Sequence, residues 1–443
     1  MIRFALFLVA APLLAQDSLS LRDAVRLALR ENKGLAASSA AVDAARARVD
    51  QARGGRLPKL NYSESWSAGN NPVYVFGSLL TQHQFTVENL NIGTLNRPDP
   101  LNNFQSLVTI DQPIYDAGQT HTAVKSATLA RELSAEDKRR AEMQIIAGVL
   151  RAYYGATLAA ESLKSAEHAL RSAEADLKRA EDVRAAGMAT DADVLSLRVH
   201  LAGVTEQRIQ RAADLDVARA ELNDVLGAPL DAPHVLTTAL AALDVPDMTL
   251  EALEKQGSTT RPEARQSRLA ADLARVQADA ARSAYLPEVM FHGAWEVDRQ
   301  RFITRGGANW LTSIGLRWNL FNGNSDKARV RESTYAIDVA RADEQRVDSA
   351  VRLEVRRACA ALSAAGHRIE VARAAADEAE ESLRITQNRY EAGMTTVTDL
   401  LRNETAVLES RTRYLSAIHD QRLAAAALQL AAGSLTPDSE VLN

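Results

Sequence analysis

The 443-residue chain has few of the residues that interrupt helices, form disulfides or fill an aromatic core. It has a single cysteine, Cys359, which excludes an internal disulfide, and aromatic residues make up only 5%. It also has only 12 prolines, while Ala, Leu, Arg, Glu and Asp are abundant. This composition is typical of long helices with small residues at their contacts. The formal net charge of −5 is small and gives no reason to expect a nucleic-acid partner.

Long apolar runs are also missing. Beyond residue 15 no run reaches the roughly 18 residues that a transmembrane helix needs. Residues 1–15 contain one basic residue, Arg3, then an apolar stretch and small residues, which predicts a secretory signal peptide cleaved near Ala15. A short uncleaved anchor is the alternative. We expect an exported chain that is periplasmic, secreted or an outer-membrane barrel.

The sequence shows no pattern of catalytic or metal-binding residues. Its eight histidines are scattered without the spacing of metal ligands. It has no phosphate-binding glycine loop and no nucleophile elbow. Acidic residues are plentiful, but we expect most of them to be solvated on helix faces. We therefore predict that the protein is not an enzyme and has no metal or cofactor.

The most informative feature of the chain is an internal duplication. The segment RAAGMATDADVL at 184–195 returns as YEAGMTTVTDLL at 390–401, 206 residues later (393 minus 187). Upstream, RLPKLNYSESW and YLPEVMFHGAW are 229 residues apart (295 minus 66). The difference of 23 residues is one insertion in the first copy, which we place within residues 70–102. A duplicated unit with one insertion constrains the fold strongly.

Each copy contains two regions in which apolar and polar residues alternate with period two. This predicts strands at about 57–69 and 103–115, and again at about 285–298 and 309–321, although Glu64 interrupts the apolar face of the first. Together with the segments that join them, over residues 57–115 and 285–321, these strands hold 14 of the 21 aromatic residues. A one-sided soluble sheet is an alternative, but the enrichment favours the aromatic girdle of a membrane β-barrel. The residues expected to face lipid are Trp66, Trp295, Trp310 and Trp318.

The strands alternate with helical hairpins of unusual length. Residues 118–187 contain no proline and only two internal glycines, so one helix of roughly 100 Å could span them. Leu and Ala recur at 3-4 spacing in both copies, which predicts a coiled-coil seam. We place the hairpins at 118–227 and 324–433, inside repeats at 16–227 and 263–433. The proline-rich residues 228–262 form a linker between the repeats, and 434–443 form a C-terminal tail.

A helix, two strands and a long helical hairpin, present twice, resemble the TolC-like outer-membrane efflux protein family. The resemblance covers essentially the whole mature chain and is most specific in LSLRDAVRLALREN (19–32), in the LP that opens the first strand of each copy, and in the two tips. One departure is Lys33, where the family usually has proline.

The resemblance implies a mainly α chain with membrane β structure, assembled as a homotrimer. Four strands cannot close a pore alone, whereas three copies supply a 12-stranded β-barrel. The long helices would continue it as an α-helical coiled-coil barrel in the periplasm. The protein would then lie in the outer membrane, in contact with its lipid, and span into the periplasm.

The implied function is a passive exit duct in a tripartite efflux pump, with a periplasmic adaptor (membrane fusion protein) and an inner-membrane transporter as partners. Two alternatives remain open. The same fold would serve as the exit duct of a type I protein secretion system. A periplasmic coiled-coil adaptor or scaffold without a pore is the other, although two hairpins and four alternating strands argue against it.

The two tips carry the candidate gate. Asp193 and Asp399 each lie six residues past the tip glycine, so three chains would place six carboxylates around one opening and favour cations there. In the family a Tyr, an Arg and acidic residues form the periplasmic gate, and Tyr390, Asp399 and Asp193 match that pattern. Thr395 stands where an Arg is expected, and Arg402 where a second Asp is expected. For Asp193, stabilisation of the helix terminus is the simpler alternative.

The tips are also rich in apolar residues at an end that should face water. Gly187 and Gly393 most simply permit the turns. Core packing of the hairpins explains some of the apolar residues, and an adaptor-docking surface explains the rest. The candidate docking residues are Gly187, Met188, Val194, Leu195, Gly393, Met394, Leu400 and Leu401.

Overall fold

The computed structural model describes residues 17–187, 190–244, 249–304 and 306–442. The predicted signal peptide at 1–15 lies outside them. The chain divides into two compact units. The helical unit comprises the described parts of 1–40, 135–266 and 345–443, and the sheet unit comprises 41–134 and 267–344.

Helices dominate both copies of the duplication, and the two longest have 67 residues each. No helix among the described ranges combines the length and apolarity needed to cross a membrane. In chain order the elements are β1 (Asp17–Leu19), α1 (Leu21–Glu31), α2 (Lys33–Arg53), β2 (Lys59–Gly69), α3 (Pro72–Thr81), α4 (Ile92–Asn96), β3 (Leu101–Tyr115), α5 (Gln119–Ala185), α6 (Asp191–Leu226), β4 (His234–Leu236), α7 (Leu250–Thr260), α8 (Pro262–Ser283), β5 (Glu288–Arg299), β6 (Gly307–Arg317), α9 (Ser325–Glu391) and α10 (Val397–Ala431).

The sheet unit contains a four-stranded antiparallel sheet in the order β2-β3-β5-β6. Residues directly opposite each other share a face of the sheet. The register places Tyr62 opposite Val108, Val108 opposite Trp295, and Trp295 opposite Trp310. Strands β2 and β6 are the two edges of this sheet, so each presents unpaired backbone groups in the single chain.

The two faces of the sheet differ in polarity, although Leu107 and Leu311 lie among the residues of the polar face. The apolar face carries Leu60, Tyr62, Trp66, Phe104, Val108, Ile110, Phe291, Trp295, Trp310, Ile314 and Leu316. The polar face carries Asn61, Ser63, Ser65, Asn103, Gln105, Thr109, Asp111, His292, Glu296, Asp298, Asn309 and Ser313. Three of the four tryptophans therefore share the apolar face and are exposed. Trp318 follows β6, and its Nε1 donates to the Tyr285 carbonyl at 3.0 Å.

Glu64 lies on the apolar face, but its charge is paired. Its Oε1 lies 2.5 Å from Nη2 of Arg299, and the Ser106 hydroxyl also donates to its carboxylate. Arg299 stacks over the ring of Phe302 at 5.5 Å. Glu64 in β2 is thus paired by Ser106 of β3 and Arg299 of β5. Such pairing lowers the cost of placing a charged group on an apolar surface.

The helical unit is held by a core in which α1 packs against α5 and α6. Leu21, Ala24, Val25 and Ala28 of α1 are fully buried against the middle of α5. Tyr153 of α5 is fully buried, and its hydroxyl donates to the Leu19 carbonyl and accepts from the Thr238 backbone N–H, both at 2.9 Å. Apolar residues recur with the helical period in 21–31, so one side of α1 is apolar and becomes buried.

Two segments have more structure than the sequence predicts. The linker 228–262 contains β4, which pairs in parallel with β1, and α7. The insertion at 70–102 contains α3 and α4 instead of a plain loop. Helix α3 begins with an Asn71 cap, whose side chain accepts from the backbone N–H groups of Val73 and Tyr74, and has Pro72 in its first turn.

Candidate functional site at the hairpin tips

Both hairpin tips turn at a glycine in the left-handed region. Gly187 has φ of +79° and Gly393 has φ of +71°. The Gly393 N–H donates to the Tyr390 carbonyl at 2.9 Å, and the Met394 N–H donates to the Arg389 carbonyl at 2.8 Å. These bonds satisfy the last carbonyls of α9. A side chain with a Cβ is strained at such φ values, so both glycines are required by the turn itself.

Asp193 caps the N-terminus of α6. The Thr190 hydroxyl donates to Asp193 Oδ2 at 2.7 Å, and the Thr190 N–H donates to the same oxygen at 3.1 Å. In return the Asp193 N–H donates to the Thr190 hydroxyl at 3.2 Å. This reciprocal pair satisfies free N–H groups and places a negative charge at the positive end of the helix dipole.

Asp399 repeats this arrangement at the N-terminus of α10. The Thr396 hydroxyl donates to Asp399 Oδ2 at 2.8 Å, and the Asp399 N–H donates to the Thr396 hydroxyl at 3.3 Å. Thr395, which replaces the expected Arg, adds a third bond of 3.0 Å to Oδ2. These hydroxyls, with a smaller contribution from the charge of Arg402, hold the pKa of Asp399 below its usual range. Asp399 therefore stays ionised.

Tyr390 brings the two copies of the tip together. It packs against an apolar cluster formed by Ala180, Val194, Leu197 and Val397. Burial raises the pKa of Tyr390, and the negative charges of Asp193 and Asp176 raise it further. The charge of Asp193 thus reaches Tyr390, whereas Asp193 and Asp399 each keep their own capping threonine.

The apolar tip residues divide into buried and exposed sets. Val194 and Leu400 are 1% and 0% exposed because they pack inside the hairpins, so they are corrected from docking to core residues. Leu401 is half-buried against the same cluster. Leu195 and Met394 are 58% and 64% exposed and remain available to a partner. Met188 lies outside the described residues.

A buried acidic pair above the tips was not predicted. Asp176 of α5 is 2% exposed and adjoins Glu404 of α10. His200 Nε2 lies 3.1 Å from Glu404 Oε2, and the Ser172 hydroxyl donates to Glu404 Oε1 at 3.2 Å. Arg179 lies 3.3 Å from Asp176. Its other partner is Glu391 of α9, at 3.1 Å.

The two carboxyls of this pair have opposite pKa shifts. Burial, followed by the hydrogen bond and charge of Glu404, raises the pKa of Asp176 to about 7. Burial opposes ionisation of Glu404 as well, but the bonds and charge of His200 outweigh it and lower the pKa of Glu404. The shared proton therefore resides on Asp176. Ser172, His200 and Glu404 also line a cavity of about 780 Å³ between the helices.

No cluster of His, Cys, Asp or Glu among the described residues has the arrangement of a metal site. Beside the acidic pair lie one histidine, His200, and one hydroxyl, that of Ser172, which donates to Glu404. The features that remain are a capped pair of tips, an open four-stranded sheet with one apolar face, and two 67-residue helices.

The comparison with known families decides what this combination is. The sequence profile of the family described as outer membrane efflux protein matches residues 24–228 and 256–434, which correspond to the two copies of the duplication. The chain belongs to the outer membrane efflux protein family. This confirms the resemblance inferred from the tips and strands, and with it the outer-membrane location and the export-channel function.

Individual relatives cover nearly the whole chain. The alkaline protease secretion protein AprF of Pseudomonas aeruginosa is 24% identical over 437 residues, which are 96% of this chain and 86% of the relative. The outer membrane protein OprJ of the same organism is 24% identical over 388 residues, 84% of this chain and 75% of the relative.

A solved structure shows the same fold. The CmeC outer membrane channel of Campylobacter jejuni superimposes with a TM-score of 0.79 at 16% identity, over 95% of this chain and 87% of that one. At this level of sequence identity, the structural similarity establishes the fold only. The predicted fold class, mainly helical with membrane β structure and an internal duplication, is confirmed.

Proposed function

We propose that three copies of this chain form a continuous exit duct across the periplasm and the outer membrane. The observation that supports it best is the four-stranded sheet with two free edges, β2 and β6, and an exposed apolar face that carries three tryptophans. Joining edge to edge would satisfy the backbone groups of β2 and β6 in twelve strands. The apolar face would then contact lipid, and the polar face would line water.

We propose further that the tips form the periplasmic end of the duct. Asp193 and Asp399 are anchored to their helices by threonine hydroxyls, and Tyr390 and Arg402 lie beside them. Three chains would bring six such carboxylates together, which favours cations at a narrow opening. The exposed Leu195 and Met394 would contribute apolar area to the contact with a periplasmic adaptor, and an inner-membrane transporter would deliver the substrate.

We propose that this duct belongs to a tripartite efflux pump, and a type I protein secretion system is the second candidate. The likeness to AprF, named for alkaline protease secretion, extends over 96% of this chain and favours secretion. The profile that matches both repeats is that of the outer membrane efflux protein family, which favours efflux. The adaptor without a pore has no comparable support, because the family profile covers both repeats including all four strands of the sheet.

A deletion strain distinguishes efflux from protein secretion. Loss of an efflux duct should lower the inhibitory concentrations of several antibiotics and leave the extracellular proteins unchanged. Loss of a secretion duct should remove one or a few proteins from the medium and leave antibiotic susceptibility unchanged. Complementation with the wild-type chain should restore either phenotype, and a strain without either change would contradict both functions.

A biochemical experiment tests the duct itself. The purified chain should migrate as a trimer after chemical cross-linking, stay in the outer membrane after carbonate washing, and conduct ions in a planar bilayer. Release by carbonate, or a monomer that does not conduct, would contradict the proposal.

A further inference from the structure

The insertion within residues 70–102 lies on the polar face of the sheet. The Tyr74 hydroxyl donates to the Ser67 carbonyl at 2.9 Å at the end of β2. The Gln82 amide donates to Asn103 Oδ1 of β3 at 2.9 Å, and Asn103 in turn donates to Asp298 of β5. Each of these strand residues belongs to the polar face, so the insertion is folded onto that side.

The fourth strand holds the insertion as well. The Asn309 amide of β6 donates to the Thr81 carbonyl at 3.0 Å, and its Oδ1 lies 3.2 Å from Nε2 of His83. A Cβ added to Gly307 would lie 2.1 Å from the Thr81 carbonyl oxygen, so only glycine fits there. Gln82 is 2% exposed in this contact. Close approach and buried hydrogen bonds indicate a seated element rather than a loose loop.

Helix α3 has a buried side and an opposite, exposed side that is apolar. Val75, Ser78 and Gln82 follow i, i+3, i+7 spacing and are buried on the side of the sheet. Val73, Phe76 and Leu80 have the same spacing on the other side of the helix and are 82%, 36% and 47% exposed. Further exposed apolar residues follow in the insertion at Val87, Leu90 and Ile92.

We propose that the insertion is a plug, and that its exposed stripe Val73–Phe76–Leu80 contacts the same stripe of the neighbouring copies. The inference rests on the proposed trimeric duct. There the polar face lines the lumen, so an element seated on it points its outer side toward the threefold axis. Apolar side chains in a water-filled lumen are unfavourable unless they meet other apolar surface. The only such surface that symmetry guarantees at the axis is the stripe of another copy.

The location of the plug follows from the connectivity. It joins the end of β2 to the start of β3, at the same end of the sheet as the turn between β5 and β6. The opposite strand ends lead into the long helices α5 and α9. The plug would therefore narrow the extracellular mouth and close it to water by an apolar constriction.

Conductance tests the closure. The triple substitution Val73→Ser, Phe76→Ser, Leu80→Ser removes the stripe and leaves the bonds of Tyr74, Gln82 and Asn309 intact. It should raise single-channel conductance or open probability by about twofold or more, because a hydrophobic constriction that dewets blocks ions. The matched control Val199→Ser, Leu230→Ser, Val371→Ser removes exposed apolar residues outside the insertion and should conduct like the wild type.

Cross-linking tests the contact between copies. In a Cys359→Ala background, Phe76→Cys should give covalent dimers with a short bis-maleimide and covalent trimers with a three-armed maleimide. Leu230→Cys, which is 60% exposed outside the insertion, should give neither product.

The outcomes separate the plug from the duct. Intact trimers with unchanged conductance and no product from Phe76→Cys would overturn the plug and leave the duct standing. Absence of trimers and of channels in the wild type itself would overturn the duct and the plug with it.

Discussion

At the scale of single residues, the tip carboxylates have two roles: each caps a helix in its own chain, and we propose that together they form a charged ring in the trimer. Asp193 and Asp399 cap their own helices through Thr190 and Thr396. The six-charge ring would draw on the same groups. The cap explains how a concentration of negative charge could be tolerated, since helix N-termini and hydroxyl donors stabilise the ionised form.

Substitutions can separate these two roles. Asp193→Asn with Asp399→Asn removes the proposed ring and should lower cation selectivity, measured as the reversal potential in a salt gradient. Thr190→Ala removes a capping hydroxyl, keeps both charges, and should leave selectivity unchanged. It should weaken the first turn of α6 by about 1 kcal/mol, measured by hydrogen exchange. Equal selectivity in the double variant and the wild type would show that the carboxylates serve only as caps.

The acidic pair predicts a pH-dependent stability. The pKa of Asp176 is raised to about 7 in the fold, from 3.8. Stability linked to it is therefore present below about pH 4 and is lost as pH rises toward 7, because the folded state holds a proton that the unfolded state releases. Asp176→Asn mimics the protonated form and should raise the melting temperature at pH 8 relative to the wild type, but not at pH 4. Calorimetry at both values measures this.

Glu404 supplies the opposite control. Its pKa is lowered, so it stabilises the fold above its ordinary range, and that contribution is lost as pH falls through the lowered value. Glu404→Gln should therefore lower the melting temperature at neutral pH, where His200 and Ser172 lose an ionised acceptor. A wild-type melting temperature that rises steadily from pH 5 to 8, unchanged by Asp176→Asn, would contradict the assignment of the proton.

The sequence could predict the tips but not this pair. The duplicated motif gave the positions of Gly187, Gly393, Asp193 and Asp399 because identical residues recur 206 positions apart. The sequence predicts that most acidic residues are solvated and does not single out Asp176, since a coiled-coil sequence does not state which neighbours cover a given face. The spacing offered one clue: Asp176 lies three residues after Ala173 and four before Ala180, both buried.

At the scale of elements, long periodic segments were predictable and short ones were not. The alternation expected at about 285–298 corresponds to β5 at Glu288–Arg299, and the proline-free segment to one helix, α5. Strands β1 and β4 have three residues each, too few for a periodic pattern. The sequence does not predict helix α3, although Asn71 and Pro72 form a recognisable helix start, because its apolar residues stand in consecutive runs that obscure the helical period.

The hydroxyl of Tyr153 in α5 bonds both the end of β1 and the linker. Tyr153→Phe should lower the free energy of unfolding by about 1–3 kcal/mol, because it leaves the Thr238 N–H without its acceptor and removes one of the two hydrogen bonds that the Leu19 carbonyl accepts, the other coming from the Thr237 N–H. Tyr154→Phe is the matched control. Tyr154 is equally buried, but its hydroxyl has no hydrogen-bond partner among the described residues, so the change should be close to neutral. Urea unfolding measures both, and equal losses would contradict the role of the Tyr153 bonds.

At the scale of the whole molecule, the proposed membrane contact can be read from intrinsic fluorescence. All four tryptophans lie in the sheet unit, so emission reports on that unit alone. Brominated lipids should quench it strongly in reconstituted protein, and Trp66→Phe or Trp310→Phe should each remove part of the quenched signal. Dominant quenching by aqueous acrylamide, with little effect of bromine, would show that the apolar face does not meet lipid.

The two 67-residue helices have a consequence for how the chain can change in evolution. Helices α5 and α9 start 206 positions apart and end 206 positions apart, as Gln119–Ala185 and Ser325–Glu391. One residue added to either would shift everything beyond it by about 1.5 Å and rotate it by about 100°. We therefore expect the two hairpins to accept substitutions more readily than insertions or deletions, because their lengths must stay matched. Length can vary at a strand turn instead, which is where the 23 additional residues of the first repeat are found.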